Sequence, residues 1–296
     1  RSPPKLDHRF FVEVWPDLAL DVEVLKAREV LAARHESDVR VLTWNVWFDS
    51  LCQQKRLLGL LVEVLAAAPD VACFQEVVPG FATAVWECKA LNDLYKVSRH
   101  PVGPYGIMMM ARHDLKPEFK LVDMPSGMHR QLQMVLCHER LPSFVVANVH
   151  LESLNNEALR REQLEVAANI LGPIDRTLLC GDFNFDDTKT WGDWRLQAPQ
   201  REPAMLENNV LKAVLPAFID VWPLVNPGSP GYSFDGQLNG ICCSDSKEQM
   251  RYDRILSKGF HPKAARLLGM EPINDWGVCP SDHFGVVADL QIVSAT

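Results

Sequence analysis

The stretch TLLCGDFNFDD, residues 177–187, joins an apolar run to a cluster of carboxylates and a carboxamide. Its polar side chains alternate along the chain, at Asp182, Asn184 and Asp186. The spacing D-x-N-x-D is typical both of an EF-hand calcium loop and of a strand end that directs polar groups into a catalytic cleft. The calcium loop requires Gly at its sixth position and Glu at its twelfth, where this chain has Asp187 and Asp193. Because an apolar strand rather than a helix leads into it, the pattern favours the cleft.

Polar residues also stand at the ends of other apolar segments. A side chain that only faces solvent would not require such a position. Burying a carboxylate near a core without a partner costs several kcal/mol. We therefore expect these side chains to converge on a metal ion and a phosphate, which offset that cost. They are Asn45, Glu76, His150, Asp182, Asn184, Asp282 and His283.

The pattern of apolar residues predicts an α/β architecture with sheets sandwiched between helices. Helices are expected at Asp17–His35, Leu57–Ala68, Glu157–Leu171 and Val210–Leu215. Strands are expected at DVRVLTWNV, VACFQEV, YGIMMMAR, LQMVLCHE, SFVVANVHLES, TLLCGD, YDRILS and FGVVADLQIV. The residues from Asp186 to Gln200 lack a clear period and are predicted to form a loop. Without a composition break or a repeat, we predict a partly helical lead-in over residues 1–38 and a single catalytic domain over residues 39–296.

The composition limits the possible functions. The 296 residues are 47% hydrophobic and 23% charged, as in soluble globular proteins, and the formal net charge is -8. A nucleic-acid substrate therefore needs a local basic path in an acidic protein. The longest apolar run, Leu57–Ala68, contains Glu63 and is too short for a membrane span.

The eight cysteines form no C-x-x-C pair. This argues against a zinc cluster and favours reduced, mostly buried thiols in an intracellular compartment. The chain begins at Arg1, without Met, and lacks the layout of a signal peptide. Both features are consistent with a domain excised from a longer protein.

Five segments occur in order from Asn45 to His283: LTWNV, FQEV, NVHLES, GDFN and PSDHF. They resemble the ordered motifs of the endonuclease/exonuclease/phosphatase superfamily. Within it, NVHLES, MPSGMHRQLQM and the later segments from IDVWP to PSDHFG are most similar to the 5′-tyrosyl-DNA phosphodiesterases, over approximately Val39 to Val293. The resemblance implies a four-layer α/β sandwich, two mixed sheets packed face to face with helices outside. It also implies hydrolysis of the phosphotyrosyl bond between a DNA 5′ end and a trapped topoisomerase.

The residue types suggest roles that agree with this resemblance. Asp182 is the candidate to hold and deprotonate the attacking water. Asn184 faces the same side of an extended chain and can donate to the phosphate, although a turn that closes the strand also explains the pair. His150 and His283 can donate hydrogen bonds to the non-bridging oxygens. Asp282 can orient one of these two histidines, and which one stays open.

Metal and substrate contacts are assigned in the same way. Glu76 supplies the hard oxygen ligand that Mg2+ prefers, and Mn2+ is expected to substitute. Asn45 can orient the ligands of the metal or contact the substrate, while a turn cap explains it equally well from its residue type alone. Asp282 completes the predicted metal ligands. The resemblance implies a phosphate contact for Arg130 and a substrate contact for Phe234.

The chain differs at two positions from the vertebrate members of the 5′-tyrosyl-DNA phosphodiesterases that it resembles. They carry an Arg shortly after the Asp-x-Asn and a Trp in the Y-x-W-D segment, where this chain has Asp186 and Phe234. Phe234 can still stack on a base, whereas a carboxylate cannot replace a guanidinium. Asp253, in the segment RYDRIL, is expected to contact His150 or to lie behind it.

The resemblance implies DNA with 5′-phosphotyrosyl ends and the topoisomerase adduct peptide as partners, no membrane, and a monomer that acts in the nucleus or the cytoplasm. One alternative is another phosphoesterase of the superfamily: an RNA deadenylase, an abasic-site endonuclease or a sphingomyelinase. The acidic charge and GDFN suit a sphingomyelinase or a deadenylase as well as they suit a DNA-repair enzyme. A second alternative is a catalytically inactive binding module, which is disfavoured because every expected ligand and base type is present.

Overall fold

Two six-stranded mixed sheets form the centre of the protein in the computed structural model, which describes residues 20–99, 103–138, 143–195, 202–242, 247–273 and 277–293. The helices are α1 (Leu20–Ala32), α2 (Gln53–Ala67), α3 (Pro79–Glu87), α4 (Lys89–Asn92), α5 (Glu157–Leu171), α6 (Asn209–Val214) and α7 (Val221–Val225). The strands are β1 (Asp38–Asn45), β2 (Val71–Val77), β3 (Tyr95–Val97), β4 (Gly106–Arg112), β5 (Glu118–Asp123), β6 (Gln131–Cys137), β7 (Phe144–His150), β8 (Thr177–Asp182), β9 (Ile219–Asp220), β10 (Phe234–Asp235), β11 (Gln249–Met250), β12 (Asp253–Lys258), β13 (Phe260–Leu268) and β14 (Gly285–Ile292).

Each sheet is built around one pair of parallel neighbours. The strand order is β13-β14-β1-β2-β4-β3 in the first sheet and β5-β6-β7-β8-β12-β9 in the second, while β10 and β11 form a separate ribbon. β1 runs parallel to β2, and β7 runs parallel to β8. Antiparallel strands flank each pair, β14 and β4 in the first sheet and β6 and β12 in the second. The carboxyl ends of each parallel pair therefore lie at the same edge as the beginnings of its antiparallel neighbours.

Apolar side chains fill three layers, because alternate residues of a strand point to opposite faces of its sheet. Val41 and Cys73 of the first sheet lie in one buried cluster with Val146 and Leu178 of the second. The other face of the first sheet packs against α1 to α4, and that of the second against α5 and α6. The arrangement is thus helices, sheet, sheet, helices.

A buried amide pair also joins the two sheets. Gln75 on β2 donates through Nε2 to Asn148 Oδ1 on β7 at 2.7 Å and to Thr43 Oγ1 at 3.0 Å. Asn148 Nδ2 donates in turn to the carbonyl oxygens of Phe74 and Met108, at 3.0 and 3.2 Å, in the first sheet. Directional hydrogen bonds as well as apolar packing therefore fix one sheet against the other.

The predicted α/β sandwich is confirmed, and the differences lie mainly at its periphery. α2 begins at Gln53 rather than Leu57, and the described part of the predicted lead-in helix is Leu20–Ala32. The unpredicted strands β3, β5, β9 and β13 are all edge strands, whose exposed faces weaken the apolar signal, and the unpredicted β10 and β11 form the separate ribbon.

Two further predictions can be compared with the described residues only in part. The predicted loop contains a 3-10 helix at Asp193–Arg195, and its residues 196–200 lie outside the described ranges. The domain boundary at residue 39 stays a prediction. Within the described ranges, every helix is too short or too polar to cross a bilayer.

Candidate active site

The candidate site lies at the edge where the two parallel strand pairs end. Asp253 opens β12 directly opposite Asp182, and His283 lies just before β14 begins. Each sheet therefore supplies the carboxyl ends of a parallel pair and the beginning of an antiparallel neighbour, which is where open α/β sheets usually bind ligands. The carboxyl ends of the parallel pairs carry Asn45, Glu76, His150 and Asp182.

Asp182 makes contacts to both sheets. Its Oδ2 accepts a hydrogen bond from Asn45 Nδ2 at 3.0 Å and lies 3.5 Å from His150 Nε2, and its Oδ1 accepts from the backbone N–H of Asn184 at 2.8 Å. Burial is the main cause that raises the pKa of Asp182 to about 6, and repulsion from the Asp253 carboxylate is the second. The carboxylate is thus fixed in position, with a proton affinity suited to general-base chemistry near neutral pH.

Glu76 faces the same space from the first sheet. Its backbone has a φ of 57° at an irregularity that breaks the β2–β4 register between Phe74 and Val77. A non-glycine residue at positive φ is uncommon and often marks a functional position. Glu76 Oε1 lies 3.9 Å from His150 Nε2, and Oε2 accepts from the backbone N–H of Phe48 at 3.2 Å. The side chain stays 14% exposed, so an ion or solvent can reach it.

His150 is held in its neutral form. Arg130 Nη1 lies 3.0 Å from His150 Nδ1, and because a guanidinium can only donate, Nδ1 accepts and Nε2 carries the proton. Burial is the main cause that lowers the pKa of His150 well below its usual value, and the charges of Arg130 and His283 lower it further. Its Nε2–H is therefore a neutral donor directed toward the carboxylates of Asp182 and Glu76.

His283 is held in the opposite state. Its Nδ1 lies 2.6 Å from Asp253 Oδ2. Burial opposes the charged form, but the Asp253 carboxylate outweighs it, and the pKa of His283 is raised well above its usual value. The orienting carboxylate is thus Asp253, where the sequence suggested Asp282, and Asp253 contacts His283 rather than His150.

The loops that follow β1 and precede β14 are tied together below the site. Arg56 is buried and donates through Nη1 to the carbonyl oxygens of Val46 and Pro280, at 3.1 and 3.2 Å. Ser281 Oγ donates to the carbonyl oxygen of Asn45 at 2.6 Å. These bonds hold the His283 loop against the end of β1.

Asp282 lies between these loops and the acidic side of the site. Its Oδ1 accepts from Ser281 Oγ at 3.3 Å. Burial raises the pKa of Asp282 to about 7, with His283 opposing this shift and the charge of Glu76 adding to it. The charges of Asp282 and Glu76 therefore repel each other across the site.

Arg130 brings a buried positive charge into the site. Besides His150, it donates through Nη2 to Ser153 Oγ at 2.8 Å, while its buried Nε has no acceptor. Among the described residues, no carboxylate forms a salt bridge with this guanidinium. Its Cζ lies 5.7 Å from the ring centroid of Tyr105, which stacks on the half-exposed ring of Phe48 at 5.3 Å. The result is an uncompensated cation beside an aromatic pair.

Asn184 and Phe234 lie at the site in arrangements that the sequence did not predict. β8 ends at Asp182, and Asn184 has a φ of 56°, so the chain is not extended here. The Asn184 amide donates to the carbonyl oxygen of Leu151 at 3.1 Å. Phe234 is buried and packs edge to face against the His283 ring at 5.0 Å. It therefore contacts a histidine of the site directly.

Asp186, at the position where vertebrate members carry an Arg, has a structural role. Its Oδ1 accepts from the backbone N–H and the hydroxyl of Thr188, at 2.7 and 2.8 Å, and its Oδ2 accepts from the backbone N–H of Arg251 at 2.7 Å. The side chain is buried. Asp186 closes the turn after β8. It supplies none of the positive charge that an Arg at this position would bring.

Sequence reasoning underestimated Asp253 and missed Arg56 and Tyr105. The signal for Asp253 was present, because it opens an apolar strand just as the other site residues end theirs. Arg56 stands beside Leu57 on the buried face of α2, and an arginine in that position indicates a bonded cation. Tyr105 is the first residue of the predicted strand YGIMMMAR and lies directly before β4 begins, and its residue type alone did not indicate a role at the site.

The site can also hold a metal ion. The ligand atoms of Asp182, Asp253 and His283 lie within 4.8 Å of one another, and Glu76 and Asp282 bring two further carboxylates whose charges repel each other. Paired carboxylates, two imidazoles and a buried guanidinium on an α/β sandwich define a hydrolase of anionic esters.

The sequence profile described as the Endonuclease/Exonuclease/phosphatase family matches residues 42–283. The chain therefore belongs to this family, and it is a hydrolase of phosphoric ester bonds.

The chain is also similar to named relatives in sequence and to solved structures in fold. Tyrosyl-DNA phosphodiesterase 2 of Homo sapiens is 26% identical over 271 residues, covering 86% of this chain and 68% of the relative. The protein of that name from Xenopus laevis is 26% identical over 276 residues, covering 87% and 68%. A crystal structure of D. rerio TDP2 complexed with single strand DNA product has a TM-score of 0.72 at 22% identity, covering 86% of this chain and 99% of that one. The human Nocturnin catalytic domain with bound sulfate anion has a TM-score of 0.62 at 20% identity, covering 88% and 95%.

Proposed function

We propose that this chain hydrolyses the 5′-phosphotyrosyl bond between DNA and a covalently trapped protein such as a topoisomerase, using Mg2+, in DNA repair. The curated relatives are named for tyrosyl-DNA, and a neighbouring structure holds a single-strand DNA product. The substrate is inferred from these relatives. The chemistry is inferred from the site.

The observation that carries the proposal is the buried charge of Arg130. An isolated buried charge is costly, and this guanidinium has no carboxylate partner among the described residues and no acceptor for its Nε. A phosphate oxygen supplies the missing anion and the missing acceptor, because a guanidinium matches phosphate geometry. The adjacent Tyr105 and Phe48 rings suit a phosphate ester that carries an aromatic group.

The acidic side of the site fits a hard divalent cation. Glu76 adds to the raised pKa of Asp282, and a cation between the two carboxylates would remove that repulsion. The group of Asp182, Asp253 and His283 fits less well, because the raised pKa keeps the imidazole protonated and without a free lone pair. We assign Mg2+ to Glu76 and Asp282, where it would add positive charge against the phosphate.

The remaining residues can perform the hydrolysis as follows. Asp182 holds a water molecule and accepts its proton as the water oxygen bonds to phosphorus. The bond from phosphorus to the tyrosyl oxygen breaks, leaving a 5′ phosphate and a tyrosine phenolate, which takes up a proton from solvent as Asp182 releases its own. His150 and His283 donate from Nε2 to the non-bridging oxygens. Asn45 keeps Asp182 in place through its amide, and its own Oδ1 accepts from a backbone N–H at 3.0 Å.

A substrate panel tests the proposal. We expect Mg2+-dependent cleavage of 5′-tyrosyl DNA with kcat/KM well above that for poly(A), abasic duplex or sphingomyelin, and no cleavage in EDTA. Asp182→Asn should abolish the activity. Arg130→Ala should lower kcat/KM by roughly 5- to 150-fold, equal to about 1–3 kcal/mol for a lost charged hydrogen bond.

Arg161→Ala is the matched control, because this exposed arginine forms its one salt bridge within the described ranges with Glu165 on α5, at 3.1 Å. Its kcat/KM should equal that of the unaltered protein. A clear preference for one of the other three substrates would refute the tyrosyl-DNA assignment. An unchanged kcat/KM in Arg130→Ala would refute the phosphate contact.

A further inference from the structure

The hairpin loop between β5 and β6 carries Arg130 as its last residue. We call residues 124–130 the Arg130 loop. Pro125, Gly127 and His129 are exposed, so packing against the core covers only part of this loop. The position of the Arg130 guanidinium therefore depends on the polar contacts that hold the loop in place.

Glu152 contacts the Arg130 loop from the second sheet. It lies two residues beyond the end of β7 and is buried. Its Oε2 accepts from Ser126 Oγ at 2.7 Å and from Gln163 Nε2 at 3.1 Å, and its Oε1 accepts from the backbone N–H of Gly127 at 2.9 Å. Hydrogen bonds to an ionised acceptor are about twice as strong as those between neutral groups. A buried carboxylate thus binds the loop through both of its oxygens.

Ser126 connects this carboxylate to the backbone of Arg130. Its hydroxyl donates its one proton to Glu152. The hydroxyl oxygen accepts from the backbone N–H groups of Met128 and Arg130, each at 2.9 Å. Because a hydroxyl has one proton and two lone pairs, the carboxylate fixes its direction and leaves both lone pairs for the two N–H groups. Two hydrogen bonds thus connect Glu152 to the residue that carries the guanidinium.

Helix α5 holds Glu152 in turn. Buried Gln163 accepts from the backbone N–H of Glu152 at 2.8 Å and donates to the carbonyl oxygen of Pro125 at 2.8 Å. Arg160 Nη1 donates to the carbonyl oxygen of Glu152 at 2.8 Å. A Cβ added to Gly127 would lie 3.1 Å from Glu152 Oε1, so glycine permits the close approach of the loop. The carboxylate is therefore fixed from below, and the loop is fixed against it.

We propose that Glu152 is a positioning residue, which determines where the Arg130 guanidinium meets the phosphate. This inference rests on the proposed function and adds a residue that acts only through Arg130. A misplacement of about 1 Å in a group that orients the substrate can lower the rate about 100-fold. Arg130 also donates to His150 Nδ1 at 3.0 Å, so a displaced loop would disturb both groups. The loss of Glu152 should nevertheless cost no more than the loss of Arg130 itself.

The test measures Glu152→Gln with and without Arg130. The substitution keeps the shape of the side chain but places an NH2 group against donors that require an acceptor. It should lower kcat/KM on 5′-tyrosyl DNA by about tenfold, and by no more than Arg130→Ala does. In the Arg130→Ala background the same change should cost less than about threefold, because the group that Glu152 positions is gone. A merely structural role would give the same fold-change in both backgrounds. Each kcat/KM is expressed per folded protein, measured by near-ultraviolet circular dichroism.

The hydroxyl of Ser126 gives a second test of the same connection. Ser126→Thr keeps the O–H group and should retain most of kcat/KM. Ser126→Ala removes it and should lower kcat/KM about as much as Glu152→Gln, again only while Arg130 is present. Because Ser126 is partly exposed, Ser126→Ala decides the matter should Glu152→Gln not fold.

Asp70→Asn is the matched control, because Asp70 is also a buried carboxylate that accepts from a backbone N–H and from side chains. It accepts from the backbone N–H of Arg40 at 2.7 Å and from Arg34 and Arg112 at 2.8 Å. It lies directly before β2, at the end of the strand opposite to Glu76. Any change that Asp70→Asn causes in kcat/KM should be the same with and without Arg130.

The outcomes separate this inference from the proposed function. Equal fold-changes for Glu152→Gln in the two backgrounds, or equal losses in Ser126→Thr and Ser126→Ala, would overturn the inference and leave the proposed function standing. An unaltered enzyme that does not cleave 5′-tyrosyl DNA would refute the proposed function itself. An unchanged kcat/KM in Arg130→Ala would remove the phosphate contact on which the inference rests.

Discussion

His150 and His283 occupy one site but have different neighbours. The first accepts from the guanidinium of Arg130, and the second bonds to the carboxylate of Asp253. Burial disfavours the charge on both; at His283 the hydrogen-bonded carboxylate of Asp253 outweighs burial, whereas at His150 the charge of Arg130 adds to it. The pair therefore offers one neutral donor and one cationic donor over the same pH range, so both can stabilise phosphate oxygens near neutral pH.

Asp253→Asn should move the alkaline limb of the pH–rate profile to lower pH. That limb reports loss of the imidazolium proton of His283. The carboxylate raises the pKa of His283, so its removal lowers that pKa and the proton is lost at lower pH. The measurement is kcat/KM on 5′-tyrosyl DNA as a function of pH in both proteins.

Asp220→Asn provides the comparison for this experiment. Asp220 pairs with Arg251 and Arg254, at 2.8 and 2.5 Å, and with no imidazole of the described ranges. Its loss should reduce stability and leave the position of the alkaline limb unchanged. If the limb of Asp253→Asn also stays in place, then Asp253 does not set the charge of His283.

The residue types of the site could be predicted from the sequence, but their pairings could not. Asp182 and His150 stand out because a polar residue ends an apolar strand. Which carboxylate meets which histidine depends on β8 lying beside β12, a contact between segments far apart in the chain. Nothing in the segment RYDRIL or in PSDHF specifies that neighbour.

At the scale of single elements, the end of β8 depends on Gly181. This residue has a φ of 145°, and a Cβ added to it would lie 1.9 Å from the carbonyl oxygen of Val149 on the parallel strand β7. Any other residue must push the two strands apart. The position next to Asp182 is therefore restricted to glycine by the approach of a neighbouring backbone.

Gly181→Ala should lower the free energy of unfolding by about 2 kcal/mol or more, through backbone strain and a direct clash. It should also lower kcat, because Asp182 must move. Urea denaturation and steady-state kinetics measure the two effects.

Gly80→Ala is the control, because this glycine lies in α3 and a Cβ there would meet no atom within 4 Å. It should raise the free energy of unfolding by about 0.5–1 kcal/mol. Equal effects at the two glycines would show that the β7–β8 approach is not restrictive.

The sequence predicted buried helices and strands better than exposed ones. VACFQEV forms β2 over its full length because the strand is buried in the first sheet, and Glu157–Leu171 forms α5 as its spacing indicates. Every residue of β5 is partly or largely exposed at the edge of the second sheet, so its apolar signal is weak. The apolar pattern reports how much of an element is covered, and edge strands are covered least.

At the scale of the whole molecule, the site exists only while the two sheets are docked. Asn45, Glu76 and His283 belong to the first sheet, and His150 and Asp182 to the second. The buried amides of Gln75 and Asn148 join the sheets within the core beneath it. Their hydrogen bonds should therefore influence both stability and catalysis.

A double-mutant cycle tests this link. Gln75→Ala and Asn148→Ala should each lower the free energy of unfolding by about 1–3 kcal/mol, since each leaves a buried partner unsatisfied. The double variant should lose less free energy of unfolding than the two single variants added together, by at least about 0.5 kcal/mol. The reason is that the second change removes the group that the first left unpaired. kcat should fall in each variant.

The exposed pair Glu23 and Lys26 on α1, 2.8 Å apart, serves as the reference cycle. Its coupling should not exceed about 0.5 kcal/mol, and kcat should not change. Strict additivity for Gln75 and Asn148 would show that the amides do not act together across the sheets.

The order of strands in the two sheets also determines how the chain can fold during synthesis. The second sheet is made entirely from β5 to β12, one continuous segment from Glu118 to Lys258, whereas the first sheet needs β1 to β4 and then β13 and β14. While the ribosome makes the second sheet, β1 has no partner on the side that β14 later occupies, and an unpaired strand edge invites association with other chains. A nascent chain should thus depend on chaperone protection at that edge, and it gains its last catalytic histidine only when β14 closes the first sheet.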